Sequence, residues 1–331
     1  MTLPDPVTLA IPAFVLLILI EVIIGKFRPR KSNYEMRDSA ASLLMGLGNF
    51  SKDFINFGVI YGVSSWVYEH RLFDIGYEWY AFLLIFFAED FCYYWFHRLS
   101  HEHRLWWAAH VNHHSSQYYN LSTALRQTWT GGLAGSWTPW LLLSLIGFPT
   151  PLIAFQKGIS LVYQFWIHTE VIDRMWKPVE AIFNTPSHHR VHHATNPRYL
   201  DANYAGILII WDRLFGTFVP EDRNEPCRYG IVRQLASFNP LIIAFHEWAG
   251  IVRDLMAAKS LKAAFLYVFG PPGWSEDGSR MTSKMLKARD RVRRAAPAPA
   301  TAATATAEDI AVSDPSEWPQ AQSSNSRIRG L

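Results

Sequence analysis

Eight of the thirteen histidines lie in three closely spaced clusters. The first cluster has the spacing H-x3-H, and the other two share the spacing H-x2-HH. Their members are His97 and His101, then His110, His113 and His114, then His189, His192 and His193. Side chains three and four residues apart are neighbours on a helix, so we expect each cluster to present its imidazoles on one face. Because imidazole suits iron, copper, zinc and nickel, the clusters predict two metal ions with about four histidines each.

Other metal chemistries fit the sequence less well. A zinc hydrolase carries the helical signature H-E-x-x-H, which requires a second histidine four residues after the first. Leu105 occupies that position after His101. Gly250 occupies it after His246, so neither His-Glu pair fits. The two cysteines are too few for thiolate-bound zinc, and they exclude iron–sulfur clusters and c-type haem, so the sequence favours two redox-active irons with nitrogen and oxygen ligands.

Three residues near the clusters are further candidates. Glu102 follows His101 directly, where a carboxylate would bind metal or relay protons, or would simply be an exposed charge. His168 ends an apolar segment and would complete the site. We take Glu102 and His168 as the candidate catalytic residues. His188 leaves the membership of the third cluster open, because it stands four residues before His192.

Two acidic residues, Glu89 and Asp90, lie within the apolar helix that the sequence predicts over Tyr77–Leu105. Acidic residues in such a helix are costly, so they either belong to the site or lie close enough to the interface to be hydrated. Asp90 precedes His97 by two turns, roughly 10 Å, which is too far to share its metal. It would instead orient a ligand or a polar group of the substrate.

The composition indicates a membrane protein, since the 331 residues are 50% hydrophobic and 18% charged. Five apolar stretches approach the roughly 20 residues that a spanning helix needs. They are Val7–Ile24, Ser42–Val67, Trp79–Phe96, Leu133–Phe148 and Pro151–Ile167. We interpret the first as a retained anchor, because it contains Glu21 and lacks a cleavage site for a signal peptidase. The last two are short enough to be re-entrant instead of spanning.

Orientation follows from a basic segment after the first apolar stretch. Its members are Lys26, Arg28, Arg30, Lys31 and Arg37, which the positive-inside rule places in the cytoplasm. Counting the spans onward places all three histidine clusters on the cytoplasmic side, of either a bacterial inner membrane or the endoplasmic reticulum. We therefore predict an all-α fold, a polytopic membrane helical bundle with a cytoplasmic, histidine-rich helical cap that holds the two metals.

The domain organisation predicted from composition has two parts. Residues 1–274 form a membrane-embedded domain, with a catalytic core at about 77–233. Residues 275–331 are polar, partly basic and rich in Ala and Pro, which predicts a disordered tail. The net charge of +3, without a basic stripe bearing aromatic residues, argues against nucleic-acid binding.

Four phrases of the sequence resemble the fatty acid hydroxylase/sterol desaturase superfamily. They are EDFCYYWFHRLSHE (Glu89–Glu102), WAAHVNHHSSQYYNLSTALRQ (Trp107–Gln127), YQFWIHTEVI (Tyr163–Ile172) and NTPSHHRVHHATNPRYLDANYAGILIIWDRLFGTF (Asn184–Phe218). The eight-histidine pattern matches without a gap, and the longer phrases resemble the ether-lipid branch, the alkylglycerol monooxygenases. The resemblance covers about Tyr77–Arg233 and favours His189 over His188 as a ligand.

The resemblance implies a membrane-bound di-iron monooxygenase that uses O2 and a tetrahydropterin. It would hydroxylate the carbon next to the ether oxygen of an alkylglycerol, and the hemiacetal would release a fatty aldehyde. The eight clustered histidines would hold the irons, and Glu102 matches an acidic position of the family. The alternatives are sterol or fatty acyl oxidation on the same scaffold and, from another class, a non-catalytic metal-binding membrane protein. The electron donor is not identified by the sequence.

Overall fold

The computed structural model describes residues 3–28 and 34–295, and all of their side chains except those of 50–57. Helices dominate this part of the chain, which contains no β-strand and only two isolated bridges. The α-helices are α1 (Pro6–Phe27), α2 (Met36–Glu69), α3 (Trp79–Glu102), α4 (Arg104–His114), α5 (Leu141–Ile146), α6 (Thr150–Trp166), α7 (Lys177–Ile182), α8 (Pro186–His192), α9 (Ile210–Leu214), α10 (Pro240–Ala257), α11 (Leu261–Phe269) and α12 (Ser283–Ala295). The all-helical prediction is confirmed for the described residues.

A side-chain cap starts α1. The Asp5 carboxylate accepts hydrogen bonds from the backbone N–H of Val7 at 3.1 Å and of Thr8 at 3.3 Å, which have no acceptor within the helix. With 22 residues, α1 is long and apolar enough to cross a membrane. Among residues 3–28 and 34–295, no other helix meets both conditions. Length and composition therefore support the first of the five predicted spans.

The fourth predicted span, Leu133–Phe148, does not form one helix. Turns and a short 3-10 helix precede α5, which has only six residues. Six helical residues cover roughly 9 Å, far less than the hydrocarbon thickness of a bilayer. α5 stops at Gly147, which has a φ of 129°, and a Cβ there would lie 2.0 Å from the Phe73 carbonyl oxygen. This segment is therefore not a spanning helix.

A break at His103 separates the first two histidine clusters. The sequence predicts a single helix over Tyr77–Leu105, but α3 ends one residue before His103 and α4 begins one residue after it. The backbone of His103 is extended, with φ −120° and ψ 124°. The next residue, Arg104, is buried and pairs with Glu247 of α10 at 2.6 Å. The break folds α4 back along α3, so that the histidines of the two helices face each other.

The segment after residue 274 contains a helix, α12, where composition predicts disorder. That prediction is wrong for residues 283–295, in which Arg294 pairs with Asp290 four residues earlier at 2.6 Å. Internal contacts group residues 1–288 into one compact unit, whose boundary falls within α12. The rest of the predicted tail, 296–331, lies outside the described residues.

Candidate metal centre

The structure brings nine imidazoles into two groups. The five-histidine group contains His97, His101, His110, His114 and His192, and the four-histidine group contains His113, His168, His189 and His193. Within each group, one nitrogen of every ring lies within 4.8 Å of those of the others. In each H-x2-HH cluster, two histidines lie in one group and the third lies in the other. The expectation that each cluster serves a single face is therefore wrong for these two clusters.

Backbone carbonyls fix the protonation of three rings. The Nδ1–H donates to a carbonyl oxygen in His97 (to Tyr204, 2.8 Å), His192 (to Ala202, 2.9 Å) and His168 (to Gln164, 2.7 Å). A neutral imidazole has one N–H, so the Nε2 of each of these rings has a bare lone pair. The same outward bond from the second ring nitrogen is usual in metal-bound histidines.

Hydrogen bonds between neutral rings cannot explain the contacts in the five-histidine group. Four Nε2 atoms form a chain, in which the distances are 3.0 Å for His97–His110, 3.1 Å for His110–His114 and 3.2 Å for His114–His192. The end rings have bare Nε2 atoms, so both middle rings would need an Nε2–H to bond with them. The Nε2–H groups of His110 and His114 would then point at each other. That contact is repulsive.

The four-histidine group has the same conflict. The Nε2 of His189 lies 3.0 Å from that of His168 and 3.2 Å from that of His193. The bare Nε2 of His168 also lies 3.2 Å from that of His113. One Nε2 proton on His189 serves only one of its two neighbours, which leaves the other contact without a hydrogen bond. A cation that binds the inward lone pairs removes the conflict in both groups.

Protonation of the rings does not relieve these contacts. Burial, reinforced by the neighbouring rings, holds the pKa of the clustered imidazoles well below the usual value for histidine. Burial lowers the pKa of His113 to about 4. The rings are therefore neutral near pH 7, which is the form that binds metal. The buried Nε2 of His101 has no hydrogen-bond partner, which is consistent with a nitrogen that binds metal. The donors fit two metal ions that prefer nitrogen.

Two buried carboxylates hold segment 202–208, whose carbonyls orient two of the rings. The backbone N–H groups of Tyr204 and Ala205 donate to the Asp212 carboxylate at 2.8 Å each. Those of Ile207 and Leu208 donate to the Asp90 carboxylate at 2.7 and 3.0 Å. Asp90 also accepts from the indole N–H of Trp211 at 2.9 Å. Gly206 permits the close approach, since a Cβ there would lie 3.0 Å from an Asp90 oxygen. Asp90 is fully buried, so its role is to orient the segment.

We expect Asp90→Ala to destabilise the protein strongly. The substitution leaves the N–H groups of Ile207, Leu208 and Trp211 without their acceptor in the interior, at about 1–3 kcal/mol for each unsatisfied group. Trp211→Phe removes one donor and leaves the other two bonds, so its cost in hydrogen bonding should be about 1 kcal/mol. Denaturant unfolding in detergent measures both free energies. Equal losses would show that the Asp90 carboxylate does not hold the segment.

Two of the sequence candidates lie outside both groups. Glu102 pairs at 2.9 Å with an arginine one turn earlier, and its side chain is 40% exposed. His188 lies 3.0 Å from a carboxylate oxygen of Glu180, whereas its neighbour His189 lies in the four-histidine group. His168, taken from the sequence as catalytic, lies among the ring nitrogens in the position of a ligand.

Sequence reasoning missed a buried ion pair beside the second cluster. Arg126 is 1% exposed and donates to the Asp38 carboxylate at 2.5 Å. It also donates at 3.1 Å to the hydroxyl of Ser115, which directly follows His114. The next residue, Ser116, donates to the second Asp38 oxygen at 2.5 Å. The pair therefore ties the end of α4 to the first turn of α2, and no local pattern predicts a contact between residues so far apart in the chain.

A second buried cation supports the other side of the four-histidine group. Arg190 pairs with Glu221 at 2.7 Å and donates at 3.1 Å to the carbonyl oxygen of Thr169, which follows His168. The Thr169 hydroxyl donates to the carboxylate of Glu21 in α1. The apolar helix α1 is thus connected directly to the loop that carries His168.

A family model for fatty acid hydroxylases matches residues 82–217, which include all nine imidazoles. This part of the chain is therefore similar to fatty acid hydroxylases. The fatty acid hydroxylase domain extends from α3 through α9, and it includes segment 202–208 and both of the carboxylates that hold it.

Beyond the fatty acid hydroxylase domain, the chain is similar to curated proteins over most of its length. It is 38% identical over 287 residues to the alkylglycerol monooxygenase of Homo sapiens and 36% identical over 283 residues to that of Danio rerio. Each comparison covers 84% of this chain and 62% of the relative, so the chain spans less than two thirds of their length. An ornithine lipid hydroxylase of Rhizobium tropici is 31% identical over 147 residues, 44% of each protein. No solved structure is significantly similar to the chain.

Proposed function

We propose that the protein is a membrane-bound, iron-dependent lipid hydroxylase that acts on an ether-linked glycerol lipid. The observation that carries the proposal is the pair of imidazole groups, whose inward Nε2 atoms cannot all be joined by hydrogen bonds. Iron suits imidazole ligands, and its redox chemistry suits reactions with O2. The fatty acid hydroxylase domain and the similarity to alkylglycerol monooxygenases support the substrate class.

We assign one iron to each group, with the nine imidazoles as ligands. Bound iron would supply the activation of O2 that places one oxygen atom on an unactivated carbon. The carbonyls of Tyr204, Ala202 and Gln164 hold three of the rings in the tautomer whose Nε2 faces inward. The ring centres of Trp107 and His101 are 5.1 Å apart, so the indole excludes water from that side of the imidazole. The chain therefore contributes fixed nitrogen positions and a dry surrounding.

The overall reaction consumes O2, two electrons and two protons, and it yields one water and a lipid hydroxylated next to the ether oxygen. The hemiacetal formed in this way breaks its carbon–oxygen bond, which releases a fatty aldehyde and a glycerol hydroxyl. We propose a tetrahydropterin as the source of electrons, on the basis of the resemblance to the ether-lipid branch. None of the residues described above is assigned to bind the pterin.

We further propose that several helices lie in the bilayer and that the metal groups lie at its cytoplasmic surface. On α3, the side chains of Leu83, Leu84 and Phe87 are 54%, 50% and 45% exposed, and exposed apolar surface of this kind is typical of a membrane contact. The same helix ends in the first histidine cluster, so the apolar and the metal-binding ends are opposite. The basic segment that begins at Lys26 supports the cytoplasmic side.

Metal analysis of the detergent-purified protein, followed by turnover of a long-chain 1-O-alkylglycerol, tests this function. We expect about two irons per chain, and aldehyde release that depends on both O2 and the tetrahydropterin. The matched control is the 1-O-acylglycerol of equal chain length, which has an ester carbonyl in place of the ether methylene and should release no aldehyde. Two irons with oxidation of a sterol or an acyl chain would replace the substrate. Zinc, or no metal, would contradict the proposed chemistry.

A further inference from the structure

A cavity of about 510 Å³ opens at the surface between α7 and α9. It is lined by Arg174, Met175, Lys177, Glu180, Ala181 and Arg213. None of these residues belongs to the two imidazole groups. The cavity is open to solvent, and half of its lining residues are cations.

Within residues 3–28 and 34–295, no close ion pair joins the three cations of this cavity to a carboxylate, and Arg174 interacts with Asp222 only at longer range. The nearby acids have other close partners. The pairs are Glu180 with His188 at 3.0 Å, Glu221 with Arg190 at 2.7 Å, Asp222 with Arg198 at 2.8 Å, and Asp173 with Arg223 at 3.3 Å. With three cations and one carboxylate, that of Glu180, the lining has a net positive charge that is available to an anion.

Neutral groups hold two of the guanidinium ions in place. Arg213 donates to the backbone carbonyl of Glu180 at 3.1 Å, and its guanidinium lies 3.8 Å from the centre of the Phe218 ring. Arg174 donates to the backbone carbonyl of Glu221. These contacts orient the side chains without neutralising them. A guanidinium oriented in this way still has free N–H groups in the planar fork that suits phosphate oxygens.

Apolar side chains adjoin the cations in the sequence. Trp176, next to Lys177, is 75% exposed, and Leu214, next to Arg213, is 69% exposed. Exposed tryptophan next to Lys and Arg is typical of surfaces that rest at the headgroup level of a membrane. A site for a free anion has no need of apolar neighbours, so this surface favours a lipid as the source of the phosphate.

We propose that the cavity binds the phosphate of an anionic phospholipid headgroup. Arg174, Lys177 and Arg213 are the phosphate ligands, and Trp176 and Leu214 contact the adjoining glycerol and acyl region. The Glu180 side chain lines the cavity and also contacts His188 on α8. A bound headgroup would therefore fix the orientation of the third histidine cluster relative to the membrane surface. The site is separate from the proposed reaction, and its test measures no turnover.

The test compares lipid binding by two triple variants of the full chain, delipidated in a neutral detergent. The site variant is Arg174→Gln/Lys177→Gln/Arg213→Gln. The control variant is Arg253→Gln/Lys259→Gln/Lys262→Gln, which removes the same charge from exposed cations in and around α10 and α11. Native mass spectrometry measures binding of phosphatidylglycerol and of phosphatidylcholine at equal concentration, and 31P NMR measures binding of inorganic phosphate. All six positions are exposed, so unfolding midpoints should stay near that of the wild type.

The wild-type chain should prefer phosphatidylglycerol to phosphatidylcholine. The site variant should lose about tenfold or more of its affinity for phosphatidylglycerol, because three cations that face the phosphate are removed, whereas the control variant should change by less than about twofold. The single variant Arg213→Lys keeps the charge and should lose less than the triple variant. Equal losses in the two triple variants would overturn the proposal, as would wild-type binding without preference for the anionic lipid. Saturation by inorganic phosphate at concentrations that leave lipid binding unchanged would also overturn it.

Discussion

Replacement of His189 by alanine is expected to lower bound iron from about two ions to about one per chain and to abolish hydroxylation. The Nε2 of His189 lies 3.0 Å from that of His168 and 3.2 Å from that of His193, so it is central to the four-histidine group. With three rings left, one coordination position of this ion is open and no fourth imidazole of the group can fill it. The five-histidine group keeps all of its rings. Elemental analysis gives the metal content, and Mössbauer spectroscopy of iron-57 protein shows which of two environments disappears.

His188→Ala is the matched control, because the two histidines are adjacent on α8 and both are buried. The ring of His188 contacts Glu180 at 3.0 Å and lies outside both groups. Its removal should cost about 1–3 kcal/mol of unfolding free energy, since Glu180 loses a partner that is buried, but both irons should remain. Loss of an iron in His188→Ala, or two irons in His189→Ala, would show that the assignment of ligands is wrong.

The split of each H-x2-HH cluster between the two groups follows from its spacing, although we expected each cluster to lie on one face. Successive residues on a helix differ in direction by about 100°, whereas residues four apart differ by about 40°. In the H-x2-HH pattern, the first and last histidines therefore point together, and the middle one points elsewhere. His110 and His114 accordingly lie in one group and His113 in the other. Adjacent histidines in this pattern indicate two metals better than they indicate one face.

The sequence was less informative where a role depends on distant contacts. The acidic character of Asp90 predicted a special residue, but its function rests on backbone N–H groups from a segment more than 100 residues later. The break at His103 was missed because helical periodicity continues through it, while the pairing of Arg104 with α10 fixes the turn. Apolar character likewise predicted a span over Leu133–Phe148, where the backbone instead turns repeatedly and α5 stops at Gly147. Hydropathy reports what a segment can bury, and turn geometry decides whether it is a helix.

Replacement of Arg126 by methionine is expected to destabilise the protein by about 3–5 kcal/mol, because it leaves the Asp38 carboxylate buried without its counter-charge. Arg126 is 1% exposed and Asp38 is 2% exposed, so solvent cannot compensate for the loss. The guanidinium bonds to the Asp38 carboxylate at 2.5 Å and to the Ser115 hydroxyl at 3.1 Å. Chemical denaturation in detergent, followed by tryptophan fluorescence, measures the change in the free energy of unfolding.

The double variant Asp38→Asn/Arg126→Met separates the pair's charge from its contribution to packing. Without either charge, no unpaired ion remains in the interior, so the double variant should be more stable than Arg126→Met alone. The serine hydroxyls also have other acceptors. Ser115 donates to the Asn112 carbonyl at 2.7 Å, and the Ser116 hydroxyl, which donates to Asp38 in the wild type, lies 2.6 Å from the Tyr118 carbonyl oxygen. Recovery in the double variant would show that the cost of the single substitution is that of an isolated buried carboxylate. A double variant as unstable as the sum of its two single variants would show instead that the two side chains contribute independently and that their pairing does not hold α4 against α2.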